Sequence, residues 1–194
     1  MKLSKILFTL SIILNIVFAV NFFNRSSIDS VTHATPHEEV QLPPDNPEYD
    51  VVGIIPGIKK FVVKYNDKLF RGGLPYSKEG YEFLKKKEIK TVVSIVPDPN
   101  LKKWASKNDI KVIDLPFEKS KGISKAQREQ LLDIYRTQNA PFYVHCHGGT
   151  HRASACAALY RTHLEGWDQE KAVKEYDLLG GDHQKEKTLI DSIN

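Results

Sequence analysis

The stretch Tyr143-Val144-His145-Cys146-His147-Gly148-Gly149-Thr150-His151-Arg152 constrains this 194-residue chain more than any other. An apolar run ends on a cysteine, two glycines follow within three residues, and an arginine closes the segment. If residues 141–145 form a buried strand and Arg152 opens a helix, the backbone N–H groups of 147–152 curl around one point and form a trap for an oxyanion. Gly148 and Gly149 permit the turn and a close approach of backbone to ligand. Cys146 falls at the focus, where the same N–H groups and the helix dipole favour the thiolate, the nucleophilic form of cysteine. Arg152 offers a planar fork to two oxygens of the same anion.

The chain around this stretch alternates between two hydrophobic periods. Phe61–Tyr65 and Lys68–Arg71 read as strands joined by the turn pair Asn66-Asp67. Ser77 caps a helix whose Tyr81, Phe83 and Leu84 face inward. Thr91–Val96 is a β-branched strand stopped by Pro97-Asp98-Pro99; a short helix through Leu101 and Trp104 and a strand over Ile110–Leu115 follow. Ser124–Gln138 is the clearest helix, with Leu131, Leu132, Ile134 and Tyr135 as its apolar stripe. The alternation predicts an α/β fold, a central and mostly parallel sheet flanked by helices. Ligands of such sheets bind beyond the carboxyl ends of the strands, where Cys146 falls.

At its central stretch the chain resembles the cysteine-dependent protein tyrosine and dual-specificity phosphatases. Their signature His-Cys-x-x-Gly-x-x-Arg is matched by His145, Cys146, Gly149 and Arg152. Leu69-Phe70-Arg71-Gly72-Gly73-Leu74-Pro75 is similar to the family's early Arg-Ser-x-x-Pro element, Lys90–Ile95 to its central strand, and Tyr160-Arg161 through Gly166-Trp167 to Ala172 and Glu175 to its closing helices. The resemblance covers residues 60–194 and is strongest to small exported bacterial members. It implies a dual-specificity-type fold and attack of Cys146 on phosphorus. The amides of His147, Gly148, Gly149, Thr150 and His151, with Arg152, would bind the phosphate. His145, Ser154 and Arg71 would support the loop, and no metal or organic cofactor is required.

Two positions depart from the pattern. The family usually places Ser or Thr directly after the arginine, where the hydroxyl stabilises the departing thiolate; here Ala153 stands there and Ser154 comes one residue late, which predicts slow hydrolysis of the phosphoenzyme. The family's general acid is an aspartate on a loop upstream of the cysteine, and its place in Leu115-Pro116-Phe117-Glu118-Lys119-Ser120 is nearest Lys119. Glu118 and Asp114 are the candidates, Glu118 preferred because it lies past the strand.

His147 and His151 read either as positive charge beside the phosphate site or as solvent-facing variable positions. Grouping Cys146, His147 and His151 as zinc ligands fails, because Arg152 would face the cation. The second cysteine, Cys156, lies nearly three helical turns from Cys146 and reads as a small buried hydrophobe rather than a disulfide partner. His163 and His183 read as surface residues, and His33 and His37 as idle residues of a flexible segment.

The N-terminus differs in kind. Lys2 and Lys5 precede an apolar run from Ile6 to Phe23, long enough to approach a membrane span, while Val17-Phe18-Ala19 offers a cleavage site. Residues 1–24 are therefore a removed signal peptide or an inner-membrane anchor through residues 6–23, and in both cases the rest of the chain is exported, to the periplasm or beyond the cell. Residues 25–57 carry five prolines, six carboxylates and two histidines and read as a flexible tether. The domain proper is placed at 58–194. There, 25 Lys and Arg stand against 18 Asp and Glu, a surface attracted to anions or simply a solvated lysine-rich one. No basic stripe is interleaved with aromatics, so the pattern gives no sign of nucleic acid.

Four functions are compatible with the residues. The first is a phosphatase of phosphotyrosine and phosphoserine/threonine in proteins. The second applies the same chemistry to a small phosphoester such as an inositol phosphate, a phospholipid head group or a sugar phosphate. The third is a rhodanese-like or arsenate-reductase-like enzyme, which the Gly149 spacing disfavours. The fourth is a catalytically impaired module that captures phosphorylated partners, supported by Ala153 and the unsettled acid.

Overall fold

Six strands build the sheet: β1 (Asp50–Ile54), β2 (Phe61–Lys64), β3 (Leu69–Gly72), β4 (Thr91–Ser94), β5 (Lys111–Asp114) and β6 (Phe142–His145). In this computed structural model, which describes residues 40–193, they lie in the order β1-β2-β3-β6-β4-β5. β1, β2 and β3 pair antiparallel, whereas β3, β6, β4 and β5 are parallel neighbours. The helices are α1 (Lys78–Lys86), α2 (Pro99–Ala105), α3 (Lys125–Thr137), α4 (Arg152–Leu164), α5 (Gln169–Leu178) and α6 (Lys187–Asp191). The predicted α/β class and mostly parallel sheet are observed.

β6 lies between β3 and β4 and is buried along its whole length. Successive side chains of a strand point to opposite faces, so Phe142 and Val144 join one apolar cluster with Leu131 and Leu159, while Tyr143 joins another with Phe83, Leu84 and Leu101. Complete burial of Leu131 and Leu159 contributes about 1.5–3 kcal/mol each. α4 is buried on every side from Ala153 to Arg161, which its small residues Ala153, Ala155, Cys156, Ala157 and Ala158 permit. Gly166, at φ +72, follows the last turn and allows the chain to leave the helix.

Local capping signals account for three of the six described helix starts. Ser124 and Gln127 form a reciprocal capping box at α3, and Asp98 accepts the Leu101 N–H at 2.7 Å at the start of α2. Ser77 occupies the predicted cap position of α1, but its hydroxyl donates to the Glu79 carboxylate instead of accepting a backbone N–H. Tyr81 is only half-buried and stacks on Trp104, ring centroids 5.1 Å apart.

The predicted tether over 25–57 is corrected in its second half, since the compact unit begins at Val40. Asp50–Ile54 forms the edge strand β1 against β2, and Tyr49 is buried. Glu48 is fixed at both ends: its carbonyl accepts from Arg161, and its carboxylate meets Lys171 Nζ at 2.7 Å. Prolines and carboxylates averaged over the segment conceal the one short strand whose partner lies downstream. The predicted signal or anchor, the first part of the tether, His33 and His37 lie outside the described residues.

Candidate active site

β6 ends at His145 and α4 begins at Arg152, so the interval forms the loop the sequence predicts at the carboxyl edge of the sheet. Cys146 is 4% exposed at its base, and the Gly149 N–H donates to its Sγ at 3.2 Å. Gly149 takes φ +88, and a Cβ there would stand 2.4 Å from the carbonyl carbon of Gly72. Only glycine accepts both the conformation and the contact.

The floor of the loop is the turn after β3. Arg71, fully buried, donates from Nη1 to the Gly149 carbonyl at 2.7 Å, from Nη2 to the Leu179 carbonyl at 3.0 Å, and from Nε to the Tyr65 hydroxyl at 3.3 Å. It thereby ties the loop to the C-terminal end of α5, where a cation also complements the helix dipole. The Leu74 N–H donates to the His147 carbonyl at 3.1 Å, and the Tyr143 hydroxyl donates to the Gly73 carbonyl at 2.8 Å. The Arg71–Pro75 segment and the Cys146–Arg152 segment are thus one structural unit.

His145 is completely buried, with Nδ1 3.3 Å from the Cys146 carbonyl and Nε2 bonded to no protein group. Burial pulls its imidazole down to about 4, so near neutral pH the ring is uncharged. Thr150, within the loop, is buried. Ser154 was expected to support it, yet its buried hydroxyl has no hydrogen-bond partner. One residue along a helix turns a side chain by about 100°, so a hydroxyl at 154 does not replace one at 153. Cys156 is a free, fully buried thiol pushed upward by burial, which leaves it inert beside Cys146.

Arg152 donates to the Phe117 carbonyl at 3.1 Å and so links the loop to the segment after β5. Together they wall a cavity of about 570 Å3 that Pro97, Glu118, Lys121 and Gln127 also line. Glu118, the preferred candidate acid, lies in this wall, but its carboxylate is 65% exposed and meets Lys121 at 2.8 Å. Asp114, the other candidate acid, is not in the cavity. It pairs in register with Ser94, which pairs with His145, so the three side chains share the α1/α2 face of the sheet, and there Asp114 forms an ion pair with Lys102. One Asp114 oxygen is buried without a partner.

Several residues at the site carry no local sequence signal. Lys59 Nζ stands 2.6 Å from His147 Nε2, and the Lys60 side chain runs beside Gly148. His151 Nε2 lies 3.5 Å from Glu186, which also binds Lys119 at 2.7 Å. These contacts span up to 88 positions in sequence, which only the sheet order could have revealed. Among the described residues no cluster of His, Cys, Asp or Glu has the form of a metal site.

A model of the tyrosine phosphatase family matches residues 57–194. The dual specificity protein phosphatase TpbA of Pseudomonas aeruginosa (strain UCBPP-PA14) is 29% identical over 112 residues, covering 55% of this chain and 49% of that protein. The chain thus spans about half the length of the curated relatives it matches. The crystal structure of P. aeruginosa TpbA overlays with a TM-score of 0.61 at 25% identity, over 76% of this chain and 90% of that one. The core catalytic domain of the PP-IP phosphatase SIW14 from S. cerevisiae, in complex with citrate, shares the fold with a TM-score of 0.56 at 16% identity, over 77% and 86% of the two chains.

Proposed function

We propose that this chain, which belongs to the tyrosine phosphatase family, hydrolyses phosphomonoesters through a phosphocysteine formed on Cys146. The observation that carries the reading is the Gly149 N–H directed at the Cys146 sulfur at the amino end of α4, in a loop locked by Arg71. A thiolate there is stabilised by the N–H groups that receive the phosphate. Cys146 attacks phosphorus, and Arg152 leaves the Phe117 carbonyl to grip two equatorial oxygens with the amides of 147–152. Water then cleaves the S–P bond.

Phosphotyrosine and phosphoserine/threonine in proteins are the first substrate class, in line with the dual specificity named for the P. aeruginosa relative. A specific observation favours a second class: Lys59, Lys60 and His147 crowd one side of the loop, and such a rim suits a small phosphoester bearing a further anionic group. The apolar run of residues 6–23 behind Lys2 and Lys5 supports export, with the folded unit held at the outer face of the inner membrane or released by cleavage.

The test is hydrolysis by the full-length protein, reduced and in detergent, of phosphotyrosine, phosphoserine and phosphothreonine peptides, inositol phosphates and sugar phosphates. Release of phosphate from at least one class, abolished in Cys146→Ser and Arg152→Ala, is expected. Tight binding of a phosphopeptide without turnover by the unaltered protein would instead assign a capture module.

A further inference from the structure

Glu186 joins the phosphate loop to the segment after β5, although it belongs to neither. Its side chain is 5% exposed, and groups from four segments converge on it. The Tyr176 hydroxyl of α5 donates to Oε2, as does the Asp182 N–H at 3.4 Å. Lys119 Nζ donates to Oε1 at 2.7 Å, and His151 Nε2 lies 3.5 Å from that same oxygen. Burial draws the Glu186 carboxyl upward, but the bonds from Lys119 and Tyr176 outweigh it and hold the group ionised.

The leaving group of a phosphoester needs a proton, and Glu118, the carboxylate in the cavity wall beside Arg152, is engaged by another partner. Asp114 is held by Lys102 on the other face of the sheet, and Glu118 is exposed and paired with Lys121. Lys119, at the place expected for the acid, is a cation turned to Glu186, with Nζ 2.7 Å from Oε1. His151 immediately precedes Arg152, and its side chain is 40% exposed, open to solvent on one side and backed by Glu186 on the other.

We propose that His151 is the general acid of this phosphatase and that Glu186 is the positioning residue that orients its ring and balances its charge. The inference rests on the cysteine-phosphatase reading. As the Cys146 thiolate forms the S–P bond, the P–O bond to the leaving group breaks with its electron pair on oxygen. With Nε2 facing Glu186, His151 Nδ1–H gives that oxygen its proton, and the imidazolium becomes imidazole. Water then attacks phosphorus and passes a proton to the imidazole as the S–P bond breaks, restoring thiolate and imidazolium and releasing inorganic phosphate.

The charged groups facing His151 are Glu186, Lys119, Lys60 and Arg71. Burial is the largest influence and, with the three cations, outweighs Glu186, so the free imidazole lies below its ordinary 6.5. A required acid of this kind makes kcat/KM fall as pH rises, along a limb displaced to the acid side of the ordinary histidine range.

The experiment measures kcat/KM of the full-length protein and of its His151→Asn, Glu186→Gln and Glu118→Gln variants, from acid to alkaline pH. The substrates are aryl phosphates from 2,4-dinitrophenyl to phenyl phosphate. For His151→Asn the expected loss is about 100-fold with phenyl phosphate and far smaller with dinitrophenyl phosphate, whose leaving group needs no proton. The surviving dinitrophenyl reaction shows that the loop is assembled, and the basic limb of the pH profile disappears. Glu186→Gln moves that limb to lower pH. An equal His151→Asn loss for every leaving group, or a leaving-group-dependent loss confined to Glu118→Gln, would overturn the assignment while leaving the Cys146 chemistry intact. Absence of any Cys146-dependent hydrolysis would instead remove the reading on which it rests.

Discussion

Arg71 and Gly149, 78 positions apart in sequence, are joined by a 2.7 Å hydrogen bond from guanidinium to carbonyl. This bond fixes the residue whose N–H faces the Cys146 sulfur, so the geometry of the nucleophile depends on an arginine outside the loop.

Arg71→Lys should therefore impair catalysis and stability together. An ammonium cannot span both the Gly149 and Leu179 carbonyls, and one buried acceptor is left unsatisfied at a cost of about 1–3 kcal/mol. Urea unfolding should show that loss, and the activity should fall at least about tenfold because the misplaced loop stabilises the transition state less well.

The predicted loop, helix α4 and the parallel core were legible because each is written locally: an apolar β6 segment, two glycines, an arginine, an alanine-rich run. The supporting arginine was legible only through the family resemblance. Glu186, Lys59 and Lys60 were not legible, since surface-type residues acquire roles here from sheet order and loop packing. Asp114 misled because sequence spacing places it near the cavity, whereas strand alternation places it on the opposite face.

Asp114→Asn should leave the rate within about threefold of the unaltered protein with phenyl phosphate, whereas removal of a true general acid costs about 100-fold or more. Steady-state kinetics with this poor leaving group decides the matter. A loss that grows with leaving-group basicity would place the Asp114 carboxyl at the reacting oxygen, contrary to its pairing with Lys102.

Acid should destabilise the fold through His145. Its imidazole is held near 4 in the folded protein and titrates near 6.5 when unfolded, so the unfolded state binds the extra proton between those values. Stability is complete above about pH 6.5 and declines toward pH 4, by an amount on the order of 3 kcal/mol. Urea unfolding across this range should show the slope, and His145→Asn should flatten it.

Truncation should locate the true start of the domain. A chain beginning at Val40 retains Tyr49 and β1 and serves as the reference. One beginning at Ile58 exposes β2 as an edge and forfeits the burial of Tyr49, worth about 2 kcal/mol by itself. It should unfold at clearly lower urea and aggregate more readily.

The central claim is covalent catalysis by Cys146, and rapid-quench kinetics on the reduced full-length protein with an aryl phosphate tests it most directly. A burst of phenol followed by slower turnover, with phosphate recovered on Cys146 by mass spectrometry and no burst in Cys146→Ser, is the predicted result. The slow phase should quicken in Ala153→Ser, which restores a hydroxyl beside the sulfur. Phenol release without a phosphorylated cysteine, or a burst that survives Cys146→Ser, would contradict the account.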